Sequence, residues 1–505
     1  MTDHARSCIG WIAVAFVFGA SRAPPAAADP LRLEDVVTAT LSHNVDIQRA
    51  AIELEAARAG LLAAAAPFDS AINLEATADR LYQFAASAPT SAQAAASTVA
   101  VPSYELSLGA GWSKRFRNGV LLAPSVTTTQ TRAFSRPRAD VAQAAARVAL
   151  TVPLVRDRGG ASSAAPERVA RATVAASALD EAQARALGVV QAAAAYWGYR
   201  AARDRLAVFT ASEARADRTA TEMAALSRAS ERTRADLTEA RGHLATRRAQ
   251  RIAAEAEVVA AWEELAIVTG MARPQAQADA VTELPAAGAA PAADLDAKRI
   301  TPRADLAAAR QRADAAAEDL QAARNELQPR LDLGLSAGYT ARIDGAGPAN
   351  LLDPLVRDIP GIEAGVQLRL ELPVGRDGAK GRAAQRSAAY RRAQLAIAEL
   401  ERSIAIRVAA ALANAQVHRA ALIEAQVAVQ LLEQTVTDEQ AKFRAGASTL
   451  LAVIQAEEAL TDTLLDEIAG RLAFAIAVAQ LRFETGAIEP ARPAAELATL
   501  LKGFP

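Results

Sequence analysis

Cysteine is all but absent: Cys8 is the only one in 505 residues, so a disulfide framework and thiol chemistry are excluded everywhere beyond it. Histidine is scarce as well. His43, His243 and His418 stand in no metal-ligand spacing such as H-E-x-x-H and read as surface helix residues, while His4 lies in the leading segment. Aromatic residues make up 4 % of the chain, which argues against a bulky globular core. The formal net charge is −1, so the strongly basic footprint of a nucleic-acid binder is missing. After residue 30 no uncharged apolar run reaches the roughly eighteen residues of a helical membrane span. The glycines and lysine of "GRDGAKG" at 375–381 lack the G-x-x-x-x-G-K-[ST] spacing of a phosphate loop and suit a strand-to-helix corner instead. No cofactor, metal or catalytic centre is expected.

What the chain does have is alanine, arginine, glutamate and leucine in long stretches, the composition of long, closely packed helices. The first residues differ. Arg6 precedes the uncharged run "CIGWIAVAFVFGA", and "PPAAADP" supplies small residues for cleavage near Ala28, so residues 1–28 read as a secretory signal peptide. No cysteine stands at the cleavage site to carry a lipid.

Two phrases nearly repeat. "RVALTVPLVRDRGG" at 147–160 and "GVQLRLELPVGRDG" at 365–378 each close an alternating run with proline and Arg-Asp, which suggests two related halves. The first half, 29–270, reads as a helix from Leu31 to Ala66, strands within about 68–152, and a helical hairpin over about 161–270. A Pro/Ala-rich link spans 271–302. The second half, 303–486, repeats the order with a helix to Leu327, strands within about 330–373 and a hairpin over about 379–484, before a C-terminal tail at 487–505.

The strands carry a period of two. Ile72, Leu74 and Ala76 alternate with Asn73, Glu75 and Thr77, and Tyr104, Leu106, Leu108, Ala110 and Trp112 alternate with polar residues and glycine. Leu331, Leu333, Leu335 and Tyr339, then Val366, Leu368 and Leu370, do the same. Their other faces hold Glu105, Asp332, Gln367, Arg369 and Glu371, which suits a wet lumen behind a lipid-facing wall. A few strands per half cannot close a barrel alone, because about eight are the least that do. Several chains would share one.

The helices carry longer periods. From Ser163 to Ser227 one helix would run to about 100 Å at ~1.5 Å per residue, more than a globular domain needs. Val408, Ala415, Leu422, Val429, Val436 and Phe443 fall at seven-residue intervals, the spacing of a coiled-coil seam. Residues 227–244, "SRASERTRADLTEARGHL", align without gaps on residues 443–460, "FRAGASTLLAVIQAEEAL", and Gly446 suits the reversal between antiparallel helices.

On these residues, above all "AYWGYRAARDRLAV" and "KFRAGASTLLAVIQAEEAL" followed by "LRFETGA", the chain resembles the TolC-type outer-membrane efflux proteins across nearly all of its mature length. The resemblance implies a mainly α chain with β: long antiparallel helical hairpins forming an α-barrel, below a transmembrane β-barrel shared by a homotrimer, with twelve strands in all and four per chain. It implies no catalysis. Its partners would be a periplasmic adaptor protein, an inner-membrane transporter and outer-membrane lipid, and its task the exit of small molecules. A protein-secretion duct, or a non-conducting periplasmic scaffold, are the alternatives.

The chain departs from that pattern in two places. Its first half holds four strand candidates between Pro67 and Pro153, where the second holds two, so the extra hairpin either enlarges the barrel or lies outside it. At the second hairpin the family's two gate aspartates are replaced by Ala452 and Gln455, while the matching places in the first hairpin hold Asp236 and Glu239. The resemblance makes these four the candidates for a periplasmic gate, and a solvated first helix turn is the plainer reading of the two acids. Arg228, Ser230, Arg232, Arg444 and Gly446 mark the hairpin tips, where an adaptor would dock.

Overall fold

The computed structural model describes residues 30–86, 98–133, 139–229, 233–271, 279–280, 282–284, 303–344, 352–356, 361–489 and 491–501. The signal segment 1–28 and most of the link lie outside them.

The expected first helix is two. Helix α1, Leu33–His43, stops at Asn44, and α2, Val45–Ala65, starts there. Asn44 is extended, with ψ 129°, and its side-chain oxygen accepts from the N–H groups of Asp46 and Ile47 at 2.9 and 3.1 Å. Its amide donates to the Val268 carbonyl at 2.7 Å. An asparagine that caps the next helix and pins a distant one favours the break over continuous helix.

Four strands follow: β1 Ser70–Ala86, β2 Thr98–Arg115, β3 Leu121–Ala133 and β4 Ala139–Pro153. They lead into α3, Ala165–Arg228, and α4, Arg234–Thr269. The succession then runs again: α5 Ala304–Asn325, β5 Arg330–Asp344, a short α6 at Asp353–Val356, β6 Ile362–Glu371, α7 Asp377–Arg444 and α8 Leu450–Glu484. At ~1.5 Å per residue, the 64 residues of α3 and the 68 of α7 each reach about 100 Å.

All six strands form one antiparallel sheet in the order β1-β2-β3-β4-β5-β6. This corrects the implied four strands per chain: the extra hairpin is laddered into the sheet, β2 pairing with β3 from Ser103–Ala133 to Arg115–Leu121. Register pairs Ile72 with Trp112, Leu106 with Gln130, Val148 with Ala337, and Leu335 with Val366.

The seven-residue series behaves as its spacing requires. Val408, Ala415, Leu422, Val429, Val436 and Phe443 are all buried in α7. Leu422 packs on Phe474 and Val478, and Ala415 lies with Ala477 and Leu481, so the seam is filled by α8. The main core sits where the middle of α3 meets α1 and the C-terminal ends of α4 and α8, joining Leu33, Val36, Tyr196, Trp197, Trp262 and Phe483. The C-terminal residues, expected as a tail, contribute a ninth helix, α9 at Ala494–Leu501, whose Leu497 and Leu501 are buried in that core. Gly270 closes α4 at φ +71°, and a Cβ there would lie 2.3 Å from the His43 carbonyl oxygen, so only glycine fits against the α1 end.

Candidate functional site: the outward sheet face and the hairpin tips

Alternation along each strand, carried across the register, sorts the sheet into two faces. Ile72 and Leu74 of β1 share a face with Leu106, Leu108, Ala110 and Trp112 of β2, Leu122 and Val126 of β3, Val148 and Leu150 of β4, Leu333 and Leu335 of β5, and Val366 and Leu368 of β6. Much of that face is exposed, with Ile72 at 74 %, Val148 at 49 %, Val366 at 77 % and Leu368 at 64 %, while Thr128, Gln130, Ala142, Ala144 and Ala341 on it are buried. A contiguous apolar surface of this extent needs a nonaqueous partner.

The band has edges. From Tyr104 to Trp112 it runs about 27 Å along β2 at ~3.4 Å per residue, or about 20 Å in height at a ~40° tilt. At one end the Arg80 guanidinium lies 5.5 Å from the Tyr82 ring and 5.7 Å from the Tyr104 ring, and Arg132 pairs with Asp140 at 3.4 Å. At the other end stand Trp112 and Phe116. Aromatic rings beside charge are what the boundary between hydrocarbon and water selects. This rim went unmarked in the sequence, although arginine beside tyrosine at the close of an alternating run was the available signal.

The opposite face is polar. Asn73, Glu75, Thr77 and Asp79 of β1, Glu105 and Ser107 of β2, and the threonines at 127, 129 and 131 of β3 lie on it by register. Arg147 of β4 reaches across β5 to Glu363 of β6 at 3.1 Å; Gly338, between them, has no side chain to block the path.

At the far end of the helices the two tips lie side by side. Met223, Ala240 and Leu244 of the first hairpin share one buried cluster with Phe443, Leu450, Val453 and Ile454 of the second. Thr233 and Thr449 cap α4 and α8 in the same way, accepting from the N–H groups of Asp236 and Ala452 at 3.2 Å. Only the first cap is reciprocal. Asp236 accepts from the Thr233 N–H at 3.2 Å, completing a capping box, which Ala452 has no group to make.

Asp236 is half-buried, Glu239 and Gln455 are exposed and Ala452 is half-buried, all in the first turns of α4 and α8. Arg228 is exposed and donates to the Ala224 carbonyl. Arg444 is exposed beside a cavity of about 470 Å³ that it lines with Arg215, Arg218 and Glu457. Gly446 has φ +75°, and the Ala447 N–H bonds to the Lys442 carbonyl at 2.9 Å, a left-handed close of α7. Ser230 and Arg232 lie outside the described residues.

His243 departs from its reading as a surface residue. Its side chain is 6 % exposed beside Glu458, and burial, reinforced by the neighbouring Arg247 charge, pushes its imidazole below the ordinary value. At the other end of the helices, between sheet and α3, Glu167 accepts from the Arg117 Nε at 2.7 Å, and that bond holds its carboxyl below the usual range. Among the described residues no cluster could hold a metal ion, and no helix is long and apolar enough to cross a membrane.

An exposed apolar sheet face, a polar face behind it and paired helical hairpins of about 100 Å below make an unusual combination. The fold is that of the TolC-type outer-membrane channels. Residues 300–487, within the second half of the chain, match the family model for the outer membrane efflux protein. Over 93 % of this chain and 89 % of the other, the fold superposes on the CmeC outer membrane channel of Campylobacter jejuni with a TM-score of 0.64 at 14 % identity. VceC, an outer membrane protein of Vibrio cholerae, gives 0.63 at 18 % identity over 90 % and 96 % of the two chains. A membrane protein from Pseudomonas aeruginosa gives 0.63 at 20 % identity over 90 % and 92 %. No curated protein matches the chain.

Proposed function

We propose that three copies of this chain form the exit duct of a tripartite efflux system, carrying small molecules from an inner-membrane transporter through the periplasm and across the outer membrane. The observation that carries the reading is the apolar face, exposed across all six strands and backed by a polar one. Outer-membrane lipid covers such a face, and lipid tolerates no open sheet edge. Six strands are below the roughly eight that close a barrel, so neighbouring copies complete it.

The helices support the same assembly. α7 leaves Leu395, Ile406, Val417 and Leu431 exposed, and α2 and α4 leave Leu62, Ile252 and Ile267, stripes that a ring of copies would bury against one another. The tips then form the periplasmic mouth. Asp236 and Glu239 supply its acids, Ala452 and Gln455 stand beside them without charge, and Arg228, Arg444 and the turn at Gly446 meet the adaptor protein.

Amine-reactive cross-linking of the protein in isolated outer membranes tests the reading. A band at three times the protomer mass is the expected result. A monomer that washes off with salt or alkali would mean a soluble scaffold whose strands pack on something other than lipid.

A further inference from the structure

We infer that the barrel of this protein has eighteen strands and closes where β1 of one copy pairs with β6 of the next. The inference rests on the trimeric reading above, since six strands from each of three copies make eighteen. The occupant of each open edge is a second copy of this chain.

The β1–β2 pair decides the count. Were it a water-exposed elaboration outside the barrel, its faces would have no reason to match those of the other strands. They do match: Ile72 and Leu74, 74 % and 80 % exposed, continue the apolar face, and Asn73, Glu75 and Asp79 continue the polar one. The pair is in register with each other over 17 positions, from Ser70–Lys114 to Ala86–Thr98. β2 is in turn laddered to β3 from Arg115–Leu121 to Ser103–Ala133. Placing β1 and β2 in lipid satisfies both faces, whereas peeling them off would expose the β3 edge to hydrocarbon and the apolar face of the pair to water.

Strand direction permits the closure. The sheet is antiparallel throughout with an even number of strands, so β6 of one copy and β1 of the next run oppositely, and the ring closes without a parallel seam. Barrel diameter grows roughly in proportion to strand number, which makes this barrel about one and a half times as wide as a twelve-stranded one. The added wall brings Glu75, Asp79 and Glu105 to the lumen, with Asp79 directly opposite Glu105.

Disulfide trapping distinguishes the closures, because Cys8, the sole cysteine, lies in the signal segment and the mature chain offers a clean background. Lumen-facing pairs are made between β1 (Asn73→Cys, Glu75→Cys or Thr77→Cys) and β6 (Glu363→Cys, Gln367→Cys or Arg369→Cys), and oxidised in isolated outer membranes. The comparison set joins the same β6 positions to β3 through Ser125→Cys, Thr127→Cys or Thr129→Cys. Opposed residues in antiparallel strands bring Cβ atoms within the span a disulfide needs.

The expected result is a trimer band under non-reducing conditions from at least one β1–β6 pair and from no β3–β6 pair. A trimer band from β3–β6 pairs overturns the inference in favour of a twelve-stranded barrel with the extra hairpin outside, and leaves the trimer standing. A trimer seen only with an amine-reactive reagent, with neither cysteine set linking, overturns the edge pairing. A β1–β6 band that stays at twice the protomer mass when oxidation is driven to completion overturns the trimeric reading itself.

Discussion

Arg303 and Glu484 tie the start of α5 to the end of α8, and cutting that tie has a calculable cost. Both side chains are 3 % exposed. The guanidinium donates to the Glu484 carboxylate and, through its other nitrogens, to Asp305 at 2.8 Å, and it lies 5.0 Å from the Phe483 ring. Arg303→Met would leave Glu484 buried with the Gln480 amide at 2.9 Å and Arg407 3.8 Å away. Breaking one side of a buried pair costs about 3–5 kcal/mol. The surviving amide offsets part of that, so the lower end applies, equivalent to about a hundredfold in a local opening equilibrium.

Hydrogen exchange read by mass spectrometry reports this opening in detergent-solubilised protein. Amides of the last turns of α8 and of α5 beyond Ala308 should exchange about a hundred times faster in Arg303→Met. Arg303→Met combined with Glu484→Gln should recover most of the protection, because no buried charge is then left alone. Unchanged protection in the single variant, or a double variant no better than it, would refute the reasoning.

Asp236→Ala should remove most of the block of single-channel current by divalent cations, while Thr233→Ala, which loosens the same cap by about 0.5–2 kcal/mol, should leave the block in place; equal loss in both would make the aspartate a cap and nothing more. Leu422→Ala, at a position 0 % exposed against Phe474 and Val478, should destabilise the α7–α8 seam by about 2–5 kcal/mol, seen as protease cleavage within α7 at lower enzyme concentration. The Glu167 carboxyl is held below 4.5 by its bond to Arg117. A folded value lower than the unfolded one contributes stability that is present above about pH 4.5 and lost as pH falls through the folded value. Acid should therefore loosen the junction between sheet and α3 below that pH, and Glu167→Gln should remove this acid step from a pH series of limited proteolysis.

How much was legible follows from the range of each interaction. Alternation in "AINLEATA" and "LDLGLSAGY" and the sevenfold series from Val408 to Phe443 are local periodicities, and the strands and buried seam lie where they stand. Strand ends were harder, because charged and aromatic residues at the rim, Arg80 and Tyr82 among them, break the alternation where water begins. The acids of the first tip stand out in the sequence, but the reciprocal Thr233–Asp236 cap emerges only from backbone geometry. His243 looked like any helix residue until Arg247 and Glu458 were seen beside it.

By itself the sequence determined which residues form strands and which form hundred-ångström helices, and which face of each is apolar, since a period of two, or of seven, dictates the face wherever the element ends up. Only the tertiary structure decided that β1 and β2 belong to one sheet with the other four, that Asn44 divides the first helix by binding Val268, and that Leu497 and Leu501 bring the C-terminal residues back onto the core. Each of these joins residues far apart in the chain, where pairing is settled by competition among whole surfaces and leaves no periodic trace.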